Sequence, residues 1–374
     1  MINNYFSRGN LDFKEKVLAL DFKLIFLILL LGIISIFAIY STERGNFDYY
    51  TQNHVYRFCV FFLVFITLAF IRVQFWYKSA YPVYFIVLML LIGVEFFGIS
   101  SSGSRRWIHF FVINLQPSEL MKIALIVFLA RYYDKIPVHD VNRVKFMIQP
   151  AFALFIPVAL VLTQPDLGTA LLIAISGFLV IWLAGIGIKY FLYSSILLVC
   201  LSPIVISFLK PYQKIRILTF FNPERDPLGS GYQIIQSKIA IGSGGFSGKG
   251  FLKGSQSYLD YLPEKHTDFI FTLFSEEFGF VGSISLLTIY ALIIYRIVKI
   301  GERSKNNFSR LYCYGFAGAF FVYVAVNMSM VLGLLPIVGA PLPIMSYGGS
   351  AMLAMMIGLG VVMSCKVYAQ DTVS

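Results

Sequence analysis

LIFLILLLGIISIFAIY, residues 24–40, carries no charged side chain, and its reading decides the class of the whole chain. At about 1.5 Å per helical residue such a run approaches the thickness of a bilayer's hydrocarbon core. A secretory signal would have a shorter core and a small-residue cleavage site, and Ala38-Ile39-Tyr40 is a poor one. The polar stretch before it, with Arg8, Lys14, Lys16 and Lys23, fits an uncleaved first helix. Residues 1–23 are therefore expected to be cytoplasmic.

The rest of the chain repeats this pattern. Hydrophobic residues make up 58% of 374 positions and charged ones only 13%, with a mean hydropathy of +0.77, outside the range of soluble domains. Further apolar runs lie near 55–71, 79–98, 118–133, 148–163, 168–188, 190–209, 269–295, 311–333 and 346–365. The expected fold is an all-α polytopic membrane protein forming one domain over 1–374. It would have about ten transmembrane helices, one long extracytoplasmic loop (210–268) between helices 7 and 8, and a cytoplasmic tail at 366–374.

Lys and Arg set the orientation. With the N-terminus inside, cytoplasmic pieces hold 17 basic residues, whereas the short outside loops hold only Arg44, Arg57, Arg105 and Arg106. The net charge of +11 is spread between apolar spans and forms no basic helix, so nucleic acid is not an expected partner. Cys59, Cys200, Cys313 and Cys365 fall in or beside apolar runs without short spacings, which argues against a disulfide frame or a zinc site.

The chemistry-bearing clusters fall on the outside. In SSGSRRWIHFF (101–111), Arg105, Arg106 and Trp107 suit either an aromatic belt with Arg anchors or a headgroup-phosphate contact. In QPSELMK (116–122), Pro117 fits a first helical position. Glu119 lies three residues before Lys122, which suits a structural ion pair or a polar site inside the membrane. Asp166 in TQPDLGT is expected to cap a helix.

The long loop is rich in glycine, but it fails as a nucleotide-binding P-loop. Ser243 stands where that motif needs Gly, and Gly250 follows Lys249 where it needs Ser or Thr. Residues 231–241 suit a helix on the membrane surface, with Lys238 facing an anionic headgroup or solvent. The Pro/Gly-rich GLLPIVGAPLPIMSYGGSAM (333–352) reads as a packed or re-entrant loop.

Where this loop meets the eighth apolar run stands LPEKHTDFIF (262–271). Asp268 follows His266 and precedes Phe269, Ile270 and Phe271. Partial desolvation there would lift a carboxylate toward the range of a usable base. A helix-start cap or a salt bridge is an equally good reading of the residues alone.

The strings GSRRW, QPSE with Lys122, QPDLGTA, NPERDPLGSGYQIIQSKIAIGSGG, LPEKHTDFIF, EEFGFVG and LPIMSYGGS resemble, in order, the SEDS (shape, elongation, division and sporulation) family. NPERDPLGSGY, QSKIAIGSGG and Lys265 point to its elongation branch, with the division branch as the alternative. The resemblance implies a ten-helix peptidoglycan glycosyltransferase of the inner membrane, with both termini cytoplasmic and its active face extracytoplasmic. It would polymerise lipid II onto a lipid-linked glycan strand, displacing undecaprenyl diphosphate with inversion.

Carried over residue by residue, the resemblance makes Asp268 the general base. Trp107, Lys122, Arg105, Arg106 and Glu119 become substrate-binding residues, with Lys238 and His266 beside them. It implies a class B penicillin-binding protein and other elongation-complex membrane proteins as partners. No metal site is expected, and a divalent cation at the leaving group is left open. A lipid flippase or a non-catalytic scaffold are the rival functions.

Overall fold

The structure is a computed structural model that describes residues 12–101, 104–110, 113–137, 139–208, 214, 218–222, 229–255, 262 and 264–371. A short α1 (Phe13–Leu18) precedes α2 (Phe22–Thr42), α3 (Tyr49–Ala69) and α4 (Val73–Phe97). Three strands follow, β1 (Ile99–Ser101), β2 (Ser104–Phe110) and β3 (Ile113–Leu115). Next come α5 (Pro117–Asp134), α6 (Val144–Thr163), α7 (Leu167–Leu183) and α8 (Ile188–Phe208). The chain continues with α9 (Ser230–Gly244), α10 (Ile270–Arg303), α11 (Asn307–Val331) and α12 (Gly349–Val367).

The ten apolar runs coincide with α2 to α8 and α10 to α12, so the chain is a multi-pass membrane protein. Among the described residues, seven of these helices are individually long and apolar enough to cross a bilayer. The fourth run becomes α5, which falls short because it carries Glu119, Lys122, Arg131 and Asp134. That helix is nonetheless the centre of the bundle. It packs against α4, α6, α7, α11 and α12 and is buried on all sides from Met121 to Ala130. The outer helices keep one apolar face uncovered, with Phe26, Phe37, Phe85, Phe155 and Leu292 exposed. Lipid tails solvate such a face at little cost.

Local chemistry starts the helices where the sequence suggests. Pro117 opens α5, and Asp166 caps α7 by accepting from Thr169 N at 3.1 Å. Asp21 and Asn306 cap α2 and α11 in the same way. The small antiparallel sheet β1-β2-β3 is an addition to the all-helical expectation. It pairs Ile99 with Trp107 and Ile108 with Leu115.

The eighth run is not one rod. As a continuous helix its 34 residues would span about 51 Å, against a hydrocarbon core of roughly 30 Å. Gly279 interrupts it at φ 62°, ψ −157°, a conformation open to glycine. Residues 280–303 are therefore the spanning piece, and residues 270–278 form a separate segment at one end of the bundle.

The glycine-rich loop splints this break. Its Lys249 and Gly250 N–H groups donate to the Glu276 and Glu277 carbonyls, each at 3.0 Å. Phe280 and Val281 N–H groups donate to the Gly245 and Phe246 carbonyls at 3.0 and 3.1 Å. Main-chain groups left over at both sides of a helix break are thus satisfied by one loop. A side chain at Gly248 (φ 80°) would put its Cβ 2.1 Å from the Glu277 carbonyl oxygen. Close backbone approach explains the glycines that a phosphate loop does not.

Candidate functional site

One end of the bundle gathers the sheet, α9, the 270–278 segment and the Pro/Gly-rich loop before α12. The turn carrying Asp268 is fixed there through its main chain. Three successive carbonyls each accept a hydrogen bond: His266 from Tyr347 N at 2.8 Å, Thr267 from Ser346 Oγ at 2.7 Å, and Asp268 from Asn327 Nδ2 at 2.9 Å. Asn327 also donates to the Ala340 carbonyl at 2.6 Å, and Ser346 Oγ accepts from Leu342 N at 2.7 Å. The turn and the loop are therefore one unit.

The Asp268 side chain is half-buried above an apolar floor of Phe269, Ile270 and Phe271, all buried. Gly339 flanks it closely, and a Cβ there would lie 3.5 Å from Asp268 Oδ2. The geometry presents a carboxylate at the rim of the core, with its backbone immobilised. That arrangement suits a general base, because the distance to the reacting proton is set by the fold.

His266 belongs to the same unit. Its Nδ1 is 2.7 Å from Thr42 Oγ1, and its ring stacks on Tyr50 at 4.0 Å. Tyr50 meets Tyr347 edge-on at 5.0 Å, and the Arg57 guanidinium lies over Tyr347 at 4.6 Å. Helices α2 and α3 thereby brace the turn as well.

Arg106 and Trp107 lie on β2, both half-buried. Arg106 Nη2 donates to the Pro165 carbonyl at 2.7 Å, and its Nη1 is 3.5 Å from Asp166 Oδ2. The strand is thus tied to the capped start of α7. A Cβ on Gly168 would sit 2.0 Å from the Val338 carbonyl oxygen, so this helix start abuts the loop that flanks Asp268. The Arg105 side chain is outside the described residues.

Lys122 and Glu119 are brought together as their spacing suggests, in the interior. Lys122 Nζ is 2.7 Å from Glu119 Oε1, with side-chain exposures of 2% and 4%. The ammonium lies over the Tyr323 ring at 4.2 Å, whose hydroxyl donates to Glu119 Oε2 at 3.2 Å. The charge that the membrane would penalise is paired and covered. Lys238 is exposed on α9, the helix expected over 231–241. This helix rests on protein, since Ser237 Oγ is 2.8 Å from Thr272 Oγ1 and donates to the Val331 carbonyl at 2.7 Å.

Sequence reasoning missed Asn327, Ser346, Thr42 and Tyr50. The one available signal was a carboxamide inside an apolar run, which the membrane disfavours unless it has a task. Among the described residues no three His, Cys, Asp or Glu side chains gather in a metal-ligating cluster.

Comparison with known proteins adds the following. Residues 16–371 match the FtsW/RodA/SpoVE family, described as cell cycle protein. The chain is 45% identical over 288 residues to peptidoglycan glycosyltransferase MrdB of Escherichia coli (strain K12), covering 76% of this chain and 77% of that protein. Among solved structures it is similar, at TM-score 0.83 and 31% identity, to one described as "Structural coordination of polymerization and crosslinking by a peptidoglycan synthase complex". That likeness covers 95% of this chain and 100% of the other. It is also similar to the rod shape determining protein RodA of Thermus thermophilus, at TM-score 0.71 and 27% identity, over 95% and 99% of the two chains.

Proposed function

The chain belongs to the FtsW/RodA/SpoVE family of cell cycle proteins, and from that premise we propose how the outer end of its bundle acts. It is a peptidoglycan glycosyltransferase of the bacterial inner membrane, of the rod-shape type rather than the division type. Asp268 takes the proton from a hydroxyl of the acceptor sugar while that oxygen bonds to the anomeric carbon of the donor. The bond from this carbon to the diphosphate oxygen breaks, and undecaprenyl diphosphate leaves with the electron pair. A single displacement inverts the anomeric centre, and the proton passes from Asp268 to solvent.

The observation that carries this reading is the pinned turn: three consecutive main-chain carbonyls are held beneath a half-buried carboxylate. Arg105, Arg106 and Trp107 are assigned to the diphosphate and the first sugar, with Lys238 and His266 at the border of the substrate path. Lys122 and Glu119 hold a buried charge pair beneath them. The Lys/Arg distribution supports cytoplasmic termini and an active face outside. The likeness to a synthase complex that coordinates polymerization and crosslinking supports a class B penicillin-binding protein as partner, together with other elongation-complex membrane proteins.

The test is polymerisation of labelled lipid II by the purified protein with its partner. Asp268→Asn should abolish polymer while Asp260→Asn, which lies outside the described residues, retains it. Polymer undiminished in Asp268→Asn would remove the base assignment. Lipid transport across proteoliposomes without polymer would replace the enzyme by a flippase.

A further inference from the structure

We propose that Asn327 is a positioning residue for Asp268, setting the separation between the base and the loop that faces it. The inference rests on the reading of Asp268 as the base. Asn327 is fully buried in α11, and its carboxamide spans two segments far apart in sequence. Nδ2 donates to the Asp268 carbonyl at 2.9 Å and to the Ala340 carbonyl at 2.6 Å. Both partners are acceptors, so only the amide end of the side chain satisfies them, and both of its protons are used.

The two bonds act as a gauge. Ala340 follows Gly339, the residue whose Cβ position is 3.5 Å from Asp268 Oδ2. One planar group thus fixes the turn bearing the carboxylate and the backbone beside that carboxylate at the same time. Ser346 and Tyr347 hold the two preceding carbonyls, and Asn327 holds the carbonyl of Asp268 itself. Among the described residues, the buried Oδ1 atom of Asn327 has no hydrogen-bond partner. A buried amide kept with half its capacity unused is costly, and packing alone would be served better by an apolar side chain. What the chain gains is the placement of two carbonyls by one rigid donor.

The consequence is a separation of binding from turnover. A base displaced by about 1 Å loses about a hundredfold in rate, whereas substrate contacts on β2 are untouched. The experiment measures initial rates of glycan polymerisation against lipid II concentration, using the full-length protein with its class B partner. Asn327→Asp keeps the shape and removes the donors at neutral pH. Asn327→Gln keeps the donors and lengthens the reach by one methylene. Both should lower kcat about tenfold or more with KM within about twofold.

A loss of folded protein with wild-type kcat in the remaining fraction would make Asn327 purely structural and overturn the proposal. Where Asn327→Asp does not fold, Asn327→Gln decides, and a wild-type kcat there refutes the gauge. Asp268→Asn is measured alongside. If it polymerises at the wild-type rate, the base reading falls and this inference with it. If it is inactive while Asn327→Gln turns over normally, the positioning role alone falls.

Discussion

Asp268 stands on the turn just before the 270–278 segment that carries Glu276 and Glu277, and the contacts shown around them differ in kind. The Glu276 carboxylate is buried and engaged directly: Oε1 accepts from Lys249 Nζ at 2.6 Å, Ser255 N at 2.9 Å and Ser255 Oγ at 2.8 Å. Glu277 accepts from the Ser41 hydroxyl. Around Asp268 it is the main chain of the turn that is held, through three successive carbonyls, and the residue is half-buried. A carboxylate that holds structure is saturated by donors, because a buried charge is stable only when paired. A carboxylate that is to take a proton from substrate, the role proposed for Asp268, gains from a fixed backbone.

Four single substitutions and one double variant break or sharpen this contrast. Asp268→Asn should lower lipid II polymerisation by about 10²–10⁴-fold without lowering the unfolding temperature. A melted protein would place Asp268 with the structural carboxylates. Lys122→Met should cost about 3–5 kcal/mol by leaving Glu119 buried without its cation. The double variant Glu119→Gln/Lys122→Met should recover most of that loss in thermal unfolding, which would class the pair with Glu276.

Glu276→Gln should weaken the splint by about 1.5–3 kcal/mol, the worth of hydrogen bonds to a charged group. It should show first as faster proteolysis or amide exchange in residues 245–255. Asp166→Ala should have the smallest effect, about 1 kcal/mol for a lost helix cap. If its polymerisation rate drops further than its stability explains, the salt bridge to Arg106 carries part of substrate binding.

The spans were legible because apolar runs between charged turns leave few alternatives in a membrane. The caps were legible for an equally local reason, as Asp166 and Pro117 act on their own helix. The break in α10 was not: EEFGFVG reads as the continuation of an apolar helix, and only the approach of Gly248 to Glu277 explains the positive φ of Gly279. The strands of 99–115 were hidden because β1 and β3 have three residues each and show no useful alternation.

Within the site, the resemblance singled out Asp268 from Glu264, Lys265 and His266 just before it, and the fold adds why its turn is rigid. Asn327 was invisible because a lone carboxamide makes no motif, and both its partners are main-chain atoms. Lys122 was correctly suspected of facing Glu119, but the Tyr323 ring that covers it comes from a helix about two hundred positions away.

The joint at Gly279 also has a mechanical meaning. An unbroken helix would act as a stiff lever, so that every change of tilt forced by bilayer thickness swung its far tip. Here the lever ends at the glycine, and the segment beyond it is bolted to the loops rather than to the rod. The position of Asp268 is then set by contacts with the surrounding loops, and a change in the tilt of the rod is not transmitted to it through a continuous helix.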